Sequence, residues 1–197
     1  QLSNNKPAQI VIAPNSFKSS LDAFKVAKAI EDGLEKSKLD AICHIFPIAD
    51  GGDHTLEVFR NWMGGALLDA DVCDPLGNVV SAEWLYIEKK QTAVIEMAKA
   101  SGISLIDEDS LNPLKSNTFG TGQLIMEAIN HGAKKAILGL GGSATVDCGL
   151  GMLQAFGAEI YDQTGRIVDT GANPLLDVSS ISLENVDERL REIELLI

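Results

Sequence analysis

Apolar positions near the start of the chain change from a continuous run to a helical spacing. The run IVIAP at residues 10–14 is typical of a buried parallel strand. The next apolar residues predict one face of a helix: Leu21, Phe24, Ala27, Ile30 and Leu34. Ser19 and Asp22 match a capping box at the start of this helix.

The same order is repeated in the next segment. HIFPI at residues 44–48 predicts a second strand, and the helix after it has an apolar face of Leu56, Phe59 and Met63. The glycine pair at residues 64–65 is typical of a helix end. A crossover of this length between two strands predicts a right-handed βαβ unit.

Residues 69–98 show strand-like segments separated by turns. The segment DPLG at residues 74–77 has proline in the second place of a turn, and the polar segment EKKQ at residues 88–91 precedes a third strand. The pattern therefore predicts an antiparallel meander.

Helical and strand patterns alternate again after the meander. A helix is predicted at residues 122–131, with Gly132 at its C-terminal cap, and a strand at residues 136–140. A further helix carries Leu150, Leu153 and Phe156, and a hairpin with its turn at DQTG is predicted at residues 161–168. The whole pattern predicts an α/β fold.

Composition and charge exclude several classes of partner. The 197 residues are 45% hydrophobic, which supports a substantial core, and the net charge is -12 with scattered Lys and Arg. Nucleic acid and anionic membranes are therefore not expected as partners, and the sequence contains no apolar run of the roughly 18 residues that a membrane helix needs. Cys43, Cys73 and Cys148 form no C-x-x-C pair, which favours a reduced, cytoplasmic protein.

Three loops that follow predicted strands contain residues suited to phosphoryl transfer. They are NSFKSS at residues 15–20, ADGGDHT at residues 49–55 and GGSATVD at residues 141–147. Loops after strands that share a sheet lie at its ligand-binding edge. Their cation Lys18, carboxylates Asp50 and Asp147, and glycine N–H groups could hold phosphate and Mg²⁺ or act as a base.

Each of these residues has a structural alternative. Lys18 could be a solvated lysine, and Asp50 and Asp147 could cap the helices that follow them. Glu96, inside an apolar strand, requires a partner. Thr118 and Thr121 could contact a ligand or cap the next helix.

The segment at residues 139–144 also matches a dinucleotide-binding pattern. It reads G-x-G-x-x-A after a predicted strand, and Asp162 lies downstream at a suitable distance. An NAD(P)-dependent oxidoreductase is therefore an alternative. The pattern G-x-x-x-x-G-K-[ST] does not occur, so a Walker-type ATPase is not supported.

Six ordered segments give the chain a resemblance to a known family. They are IVIAPNSFKSSL, PIADGGDHTLE, DPLGNVVSA, TAVIEMAKASGISL, NPLKSNTFGTGQLI and GLGGSATVDCGLGMLQAFGA. In their order and spacing the chain resembles the N-terminal half of a bacterial glycerate kinase of the glyoxylate-pathway type. The resemblance covers residues 10 to 178 and is looser to residue 197.

The resemblance implies a transferase that phosphorylates D-glycerate with ATP and Mg²⁺ in the cytoplasm, with the 2-phosphate favoured as product. It implies two α/β lobes around a cleft, and it leaves a homodimer open. Residues 1–65 would form the first part of a Rossmann-like, three-layer lobe with a parallel sheet. Residues 66–197 would form a second α/β lobe, or an insertion, that contains the antiparallel meander. Because the family's chains are longer, we expect a further C-terminal portion.

The resemblance also implies roles for particular residues. Lys18 would bind the glycerate carboxylate or the transferred phosphoryl group, Asp147 and Asp50 would hold Mg²⁺, and Asp50 would be the alternative base. These three are the expected catalytic residues. The expected nucleotide- and substrate-binding residues are Ser16, Gly51, Gly52, Thr121, Gly141, Gly142, Ser143 and Thr145.

The chain departs from the family's usual residues at several of these loops. The family usually has Asp at position 15 and Gly at positions 54 and 148, where this chain has Asn15, His54 and Cys148. These departures motivate a third hypothesis, in which the protein is a non-catalytic relative of the kinase. Turnover of glycerate would eliminate that hypothesis.

Overall fold

The computed structural model of the protein describes residues 6–17 and 20–197. Its internal contacts divide the chain into two compact units, Gln1–Asp50 and Gly51–Ile197. The predicted boundary after residue 65 stays a prediction. In the structure the helix that precedes this boundary packs against strands of the second unit.

The first unit is a βαβ unit, as the sequence predicts. It contains β1 (Ala8–Ile12), α1 (Ala23–Glu35) and β2 (Ala41–Ile45), and the two strands pair in parallel. Asp22 caps α1, since its carboxylate accepts a hydrogen bond from the Lys25 N–H at 2.8 Å. The predicted partner in a capping box, Ser19, lies outside the described residues.

Both strands of the first unit begin and end earlier than the apolar runs predict. Hydrogen bonds from Phe46 N to Ile12 O and from Ile48 N to Pro14 O continue the pairing beyond β1 and β2. Proline has no N–H to donate, so Pro14 and Pro47 interrupt regular strand pairing there.

The second unit is built around a five-stranded mixed sheet. Its elements in chain order are α2 (Thr55–Met63), β3 (Ala66–Cys73), β4 (Val79–Ile87), β5 (Thr92–Glu96), α3 (Ala98–Ser101), α4 (Phe119–Asn130), β6 (Lys135–Gly139), α5 (Leu150–Ala155), β7 (Glu159–Tyr161), β8 (Ser180–Ser182) and β9 (Glu194–Leu196). The sheet order is β3-β4-β5-β6-β9. The pairs β3·β4 and β4·β5 are antiparallel, whereas β5·β6 and β6·β9 are parallel. The predicted meander and α/β fold are thus confirmed, and meander and parallel strands share one sheet.

Helices cover both faces of this sheet. On one face α4 packs over a core that includes Trp84, Ile95 and Leu124. On the other face, α2 contributes Leu56 to a second cluster that contains Leu85 and Val94 of the sheet. All five residues of β5 are buried, as is typical of a strand between two helical layers.

The predicted hairpin at residues 161–168 is present as a short antiparallel pairing around a turn, without two regular strands, and Val168 N donates to Ile160 O at 2.8 Å. Asp162 N donates to Arg166 O, and a single bridge joins Tyr161 to Ile167. The partner of β7 is instead β8, in a separate two-stranded antiparallel sheet. Within residues 6–17 and 20–197, no helix has the length and apolar character that crossing a membrane requires.

Candidate functional site

The glycine-rich loop after β6 packs directly on the loop before α2. Gly141 N donates to Gly51 O at 2.9 Å. A Cβ atom at Gly139 would lie 2.4 Å from Gly51 O, and one at Gly141 would lie 2.5 Å from the Cα atom of Gly52. No side chain fits at these distances, so these glycines allow two backbones to touch. The predicted loop residues Gly51, Gly52 and Gly141 therefore lie together in the second unit.

The opposite side of the glycine-rich loop is fastened to the segment that follows α3. Ala144 N donates to Ser101 O at 2.9 Å, and Ile103 N donates to Gly142 O at 2.9 Å. These two bonds form an isolated antiparallel bridge. The loop is thus fixed on two sides before any ligand binds.

The centre of this loop presents hydrogen-bonding groups suited to an anion. Among the described residues, no protein acceptor pairs with the N–H groups of Gly142 or Ser143. Gly142 is exposed and has a left-handed backbone with φ 72°. The Ser143 and Thr145 hydroxyls lie 2.7 Å apart and are partly exposed. Adjacent N–H groups and hydroxyls in a turn are typical of a phosphate-binding concavity.

Asp147 has a different environment from the one that a metal ligand or base requires. Its side chain is 1% exposed, and both carboxylate oxygens accept hydrogen bonds from the protein. Oδ1 accepts from Gly149 N at 3.1 Å. Oδ2 accepts from Thr118 N and Thr118 Oγ1 at 2.8 Å each, and from Gly151 N at 3.0 Å. With four donors pointing at it, this carboxylate does not fit a cation, and the geometry favours the capping alternative.

Asp147 and Thr118 together join the starts of α4 and α5. Thr118 lies at the N-cap position of α4, yet its hydroxyl donates to Asp147 and accepts from Met152 N at 2.9 Å. A Cβ atom at Gly151 would lie 2.8 Å from Phe119 N. This cluster therefore fixes where the glycine-rich loop enters α5.

Thr121 lies inside α4 and is completely buried. Its hydroxyl is 2.7 Å from the hydroxyl of Ser101, which is also completely buried. The pair links α3 to α4. Its environment is that of a structural hydrogen bond, not of a side chain that contacts a ligand.

The remaining predicted site residues lie in the first unit. Ser16 N donates to the Asn15 side chain at 2.7 Å, and Asp50 is the last residue of that unit. Lys18 lies outside the described residues. In the part of the chain that the structure describes, no group of three or more His, Cys, Asp and Glu side chains could hold a metal ion.

Glu96 lies at the carboxyl end of β5, and the sequence alone indicates only that its charge needs a partner. Its side chain is 1% exposed, and Oε1 accepts a hydrogen bond from Leu56 N at 2.7 Å. Oε2 is buried and has no partner among the described residues. Burial raises the pKa of this carboxyl, the hydrogen bond from Leu56 and the charge of Lys99 oppose that shift, and Asp53 and Glu57 add to it.

Two departures from the family pattern lie at left-handed backbone positions. His54 has φ 71° and Cys148 has φ 55°. Only glycine adopts this conformation without steric cost, which explains the glycine that the family usually has at both positions. Cys148 is exposed, and the side chain of His54 lies 2.6 Å from Glu57.

The dinucleotide alternative is not favoured by this arrangement. In the dinucleotide motif the next strand along the chain lies in the same sheet and carries the acidic residue at its end, but the neighbours of β6 are β5 and β9. The strand before Asp162 is β7, which lies in a different sheet. Asp162 itself stabilises a turn by accepting from Thr164 N and Arg166 N.

Comparisons with known proteins agree with the resemblance seen in the sequence. The model of the glycerate kinase family matches residues 10–197. A glycerate kinase of Halalkalibacterium halodurans is 40% identical over 186 residues, which cover 94% of this chain and 49% of that protein. A glycerate 2-kinase of Escherichia coli (strain K12) is 42% identical over 184 residues, covering 93% of this chain and 48% of the relative.

A solved structure is similar as well. A crystal structure of a glycerate kinase 2 from Salmonella typhimurium LT2 superposes on this chain with a TM-score of 0.78 at 39% sequence identity. The match covers 95% of this chain and 51% of that one. The chain thus spans about half the length of the relatives it matches.

Proposed function

The chain belongs to the glycerate kinase family, and we propose that the whole protein transfers a phosphoryl group from ATP to D-glycerate, with 2-phosphoglycerate as product. The observation that carries this proposal is the loop at residues 141–145, which is fixed on two sides and whose central N–H groups have no acceptor among the described residues. Such a loop suits the negative charge of phosphate, because its donors need no reorganisation when the ligand binds.

Within this proposal the loop residues have separate tasks. The N–H groups of Gly142 and Ser143 and the hydroxyls of Ser143 and Thr145 hold the phosphates of ATP. Gly51 and Gly52 support the loop by backbone contact. Phosphoryl transfer depends mainly on positioning and charge neutralisation, so removing one donor lowers turnover strongly.

The proposal assigns no magnesium ligand to the second unit. Mg²⁺ bound with ATP would neutralise phosphate charge, but the hydrogen-bonded carboxylate of Asp147 does not fit it. We propose Asp147 as a structural residue instead. Lys18 and Asp50 remain the proposed catalytic residues, on the strength of the family resemblance.

The proposed partners are small molecules, ATP and glycerate, without nucleic acid or membrane. A cytoplasmic location is proposed because all three cysteines are free thiols. Light scattering on the whole protein measures its mass in solution and so tests whether it is a homodimer.

The test measures ADP release by the whole protein with D-glycerate and Mg²⁺, and identifies the phosphoglycerate by phosphorus NMR. We expect glycerate-dependent release, and a loss of kcat/KM of about a hundredfold or more for Lys18→Ala and Asp50→Asn, because both residues belong to the reacting centre. Ser143→Ala should lose about tenfold or more. Ser110→Ala, at an exposed serine that ends a short 3-10 helix, is the matched control.

Two outcomes would contradict the proposal. If the whole protein released no ADP with glycerate, the non-catalytic hypothesis would replace it. If Lys18→Ala and Asp50→Asn retained kcat/KM within about threefold, the catalytic assignment would be wrong, since such residues supply far more to the transition state.

A further inference from the structure

Helix α2 begins without a side-chain cap from its own segment, although Thr55 N donates to the backbone oxygen of Gly52 at 3.3 Å. The N-cap residue His54 has a left-handed backbone, and its side chain makes no capping hydrogen bond. The first N–H groups of a helix have no partner within the helix. The Leu56 N–H, the second of the helix, therefore needs an acceptor from elsewhere in the fold.

Glu96 supplies that acceptor from the end of β5. Its Oε1 accepts the Leu56 N–H at 2.7 Å, across forty positions of sequence. The side chain is 1% exposed, so water does not substitute for the bond. Removing the acceptor from a buried N–H costs more free energy than the bond contributes when both groups are present.

The first turn of α2 follows directly on residues 51–54. These residues pack against the glycine-rich loop at residues 141–145, which is the proposed phosphate-binding loop. Thr55 Oγ1, at the start of α2, donates to Gly52 O at 2.7 Å. Gly51 and Gly52 in turn lie against Gly139 and Gly141. A chain of direct contacts thus runs from the Glu96 carboxyl to the glycine-rich loop.

The environment of the second carboxyl oxygen, Oε2, indicates whether Glu96 acts as a hydrogen-bond acceptor or as a negative charge. Oε2 is buried without a partner among the described residues, and an ionised carboxylate is costly in such a place. The ionisable groups that face it are Asp53 and Glu57 from the α2 side and Lys99 from α3. Two of these three carry the same sign of charge as an ionised Glu96.

We propose that Glu96 is a positioning residue for phosphoryl transfer, and that it acts through the hydrogen-bond acceptor Oε1 and not through a negative charge. It holds the start of α2, and hence residues 51–54, against the glycine-rich loop. This inference rests on the proposed function for its effect on turnover, whereas the capping contact itself is independent of that function.

The test compares Glu96→Gln, which keeps a carbonyl acceptor of the same length, with Glu96→Ala and the shorter Glu96→Asp in the whole protein. We expect Glu96→Gln to keep kcat within about threefold, and the other two to lose about tenfold or more in kcat. The KM for ATP should rise in those two as well. Ile160→Val, at a fully buried residue of β7, is the control for a general loss of stability and should leave kcat unchanged.

A second measurement is independent of activity. Hydrogen exchange of the Leu56 N–H, followed by NMR, should be equally slow in the parent and in Glu96→Gln, and about tenfold or more faster in Glu96→Asp. If the parent does not use glycerate, the proposed function fails, but this measurement still tests the cap. The inference is overturned if Glu96→Gln loses kcat as fully as Glu96→Asp, or if Leu56 exchanges equally in all variants.

The pH dependence of stability gives a third arm of the test. Because burial raises the pKa of Glu96, the folded state holds this proton at pH values where the unfolded state has lost it. Glu96 therefore contributes a loss of stability as pH rises from about 4.3 through its raised pKa, and Glu96→Gln lacks this contribution. Urea unfolding should show that the free energy of unfolding of Glu96→Gln increases relative to that of the parent as pH rises over this window. A difference between the two that does not change with pH would contradict the role assigned to burial.

Discussion

At the scale of single residues, the exposed thiol of Cys148 stands in a backbone conformation that suits glycine. Its φ of 55° lies in the left-handed region, where a Cβ atom approaches the following carbonyl. His54 has the same difficulty at φ 71°. Both residues therefore strain the backbone of the two loops that the proposed site uses. Backbone strain of this kind is found most often at functional sites.

We expect Cys148→Gly to raise the free energy of unfolding by about 0.5–1 kcal/mol, since relief of the left-handed conformation exceeds the added entropy of the unfolded chain. Urea unfolding of the variant and the parent measures the difference. Cys43→Gly is the matched control, because Cys43 lies within β2, where glycine lowers stability. A loss of stability in Cys148→Gly would show that its side chain makes a contact that offsets the backbone cost.

The acidic residues show where sequence patterns stop being informative. Asp147 and Glu96 are both buried, and their partners Thr118 and Leu56 lie far away in sequence. Spacing along the chain shows that a carboxylate follows a glycine-rich segment, but not which donors surround it. Whether Asp147 caps a helix or binds a metal depends on this environment, and the sequence left both alternatives open.

At the scale of elements, two glycine-rich loops touch through their backbones. Gly139 and Gly141 have no room for a side chain, because the backbone of Gly51 and Gly52 occupies the space that a Cβ atom would need. Gly139 itself does not need a left-handed backbone, so its constraint is one of space alone.

We expect Gly139→Ala to lower the free energy of unfolding by about 1–3 kcal/mol, because the new Cβ atom would lie 2.4 Å from the Gly51 carbonyl oxygen. Thermal or urea unfolding measures this. Gly33→Ala is the control: Gly33 lies in α1 with nothing within 4 Å of an added Cβ atom, so that variant should gain about 0.5–1 kcal/mol. Equal stability of Gly139→Ala and the parent would mean that the two loops can separate at little cost.

Most elements could be predicted from the sequence, because their apolar spacing is local. The helical patterns at residues 122–131 and the meander at residues 69–98 correspond to α4 and to strands β3, β4 and β5. The pairing of β7 with β8 could not be predicted, since a strand of three residues has almost no pattern of its own. The parallel addition of β9 beside β6 likewise depends on tertiary contacts.

At the scale of the whole molecule, the two units differ in how their strands are covered. In the second unit β5 has a paired strand on each side and helical layers on both faces. In the first unit β1 and β2 pair only with each other among the described residues, and Val11 and Ile42 are 64% and 47% exposed. Burial and paired strands on both sides resist local opening, so the two sheets should differ in stability.

We expect amide hydrogens of β5, β6 and α4 to exchange most slowly in the 197-residue chain, and those of β1 and β2 to exchange at least about tenfold faster. Hydrogen exchange followed by mass spectrometry on peptides from both units tests this. Within the second unit, the exposed turn at residues 162–165 is an internal reference for fast exchange. Equal protection of β1 and β5 would show that the first unit opens only together with the second.

The hydrogen bonds between Asp147 and Thr118 also bear on how the chain folds. They join positions twenty-nine apart in sequence, and each depends on the first turn of a different helix. Closing so long a loop costs entropy before any contact repays it, so residues 147–151 should acquire their native conformation only once α4 is docked on the sheet. The proposed phosphate-binding loop at residues 141–145, which leads into this segment, should therefore reach its final conformation only after α4 has docked, and opening of the first turn of α4 would release it.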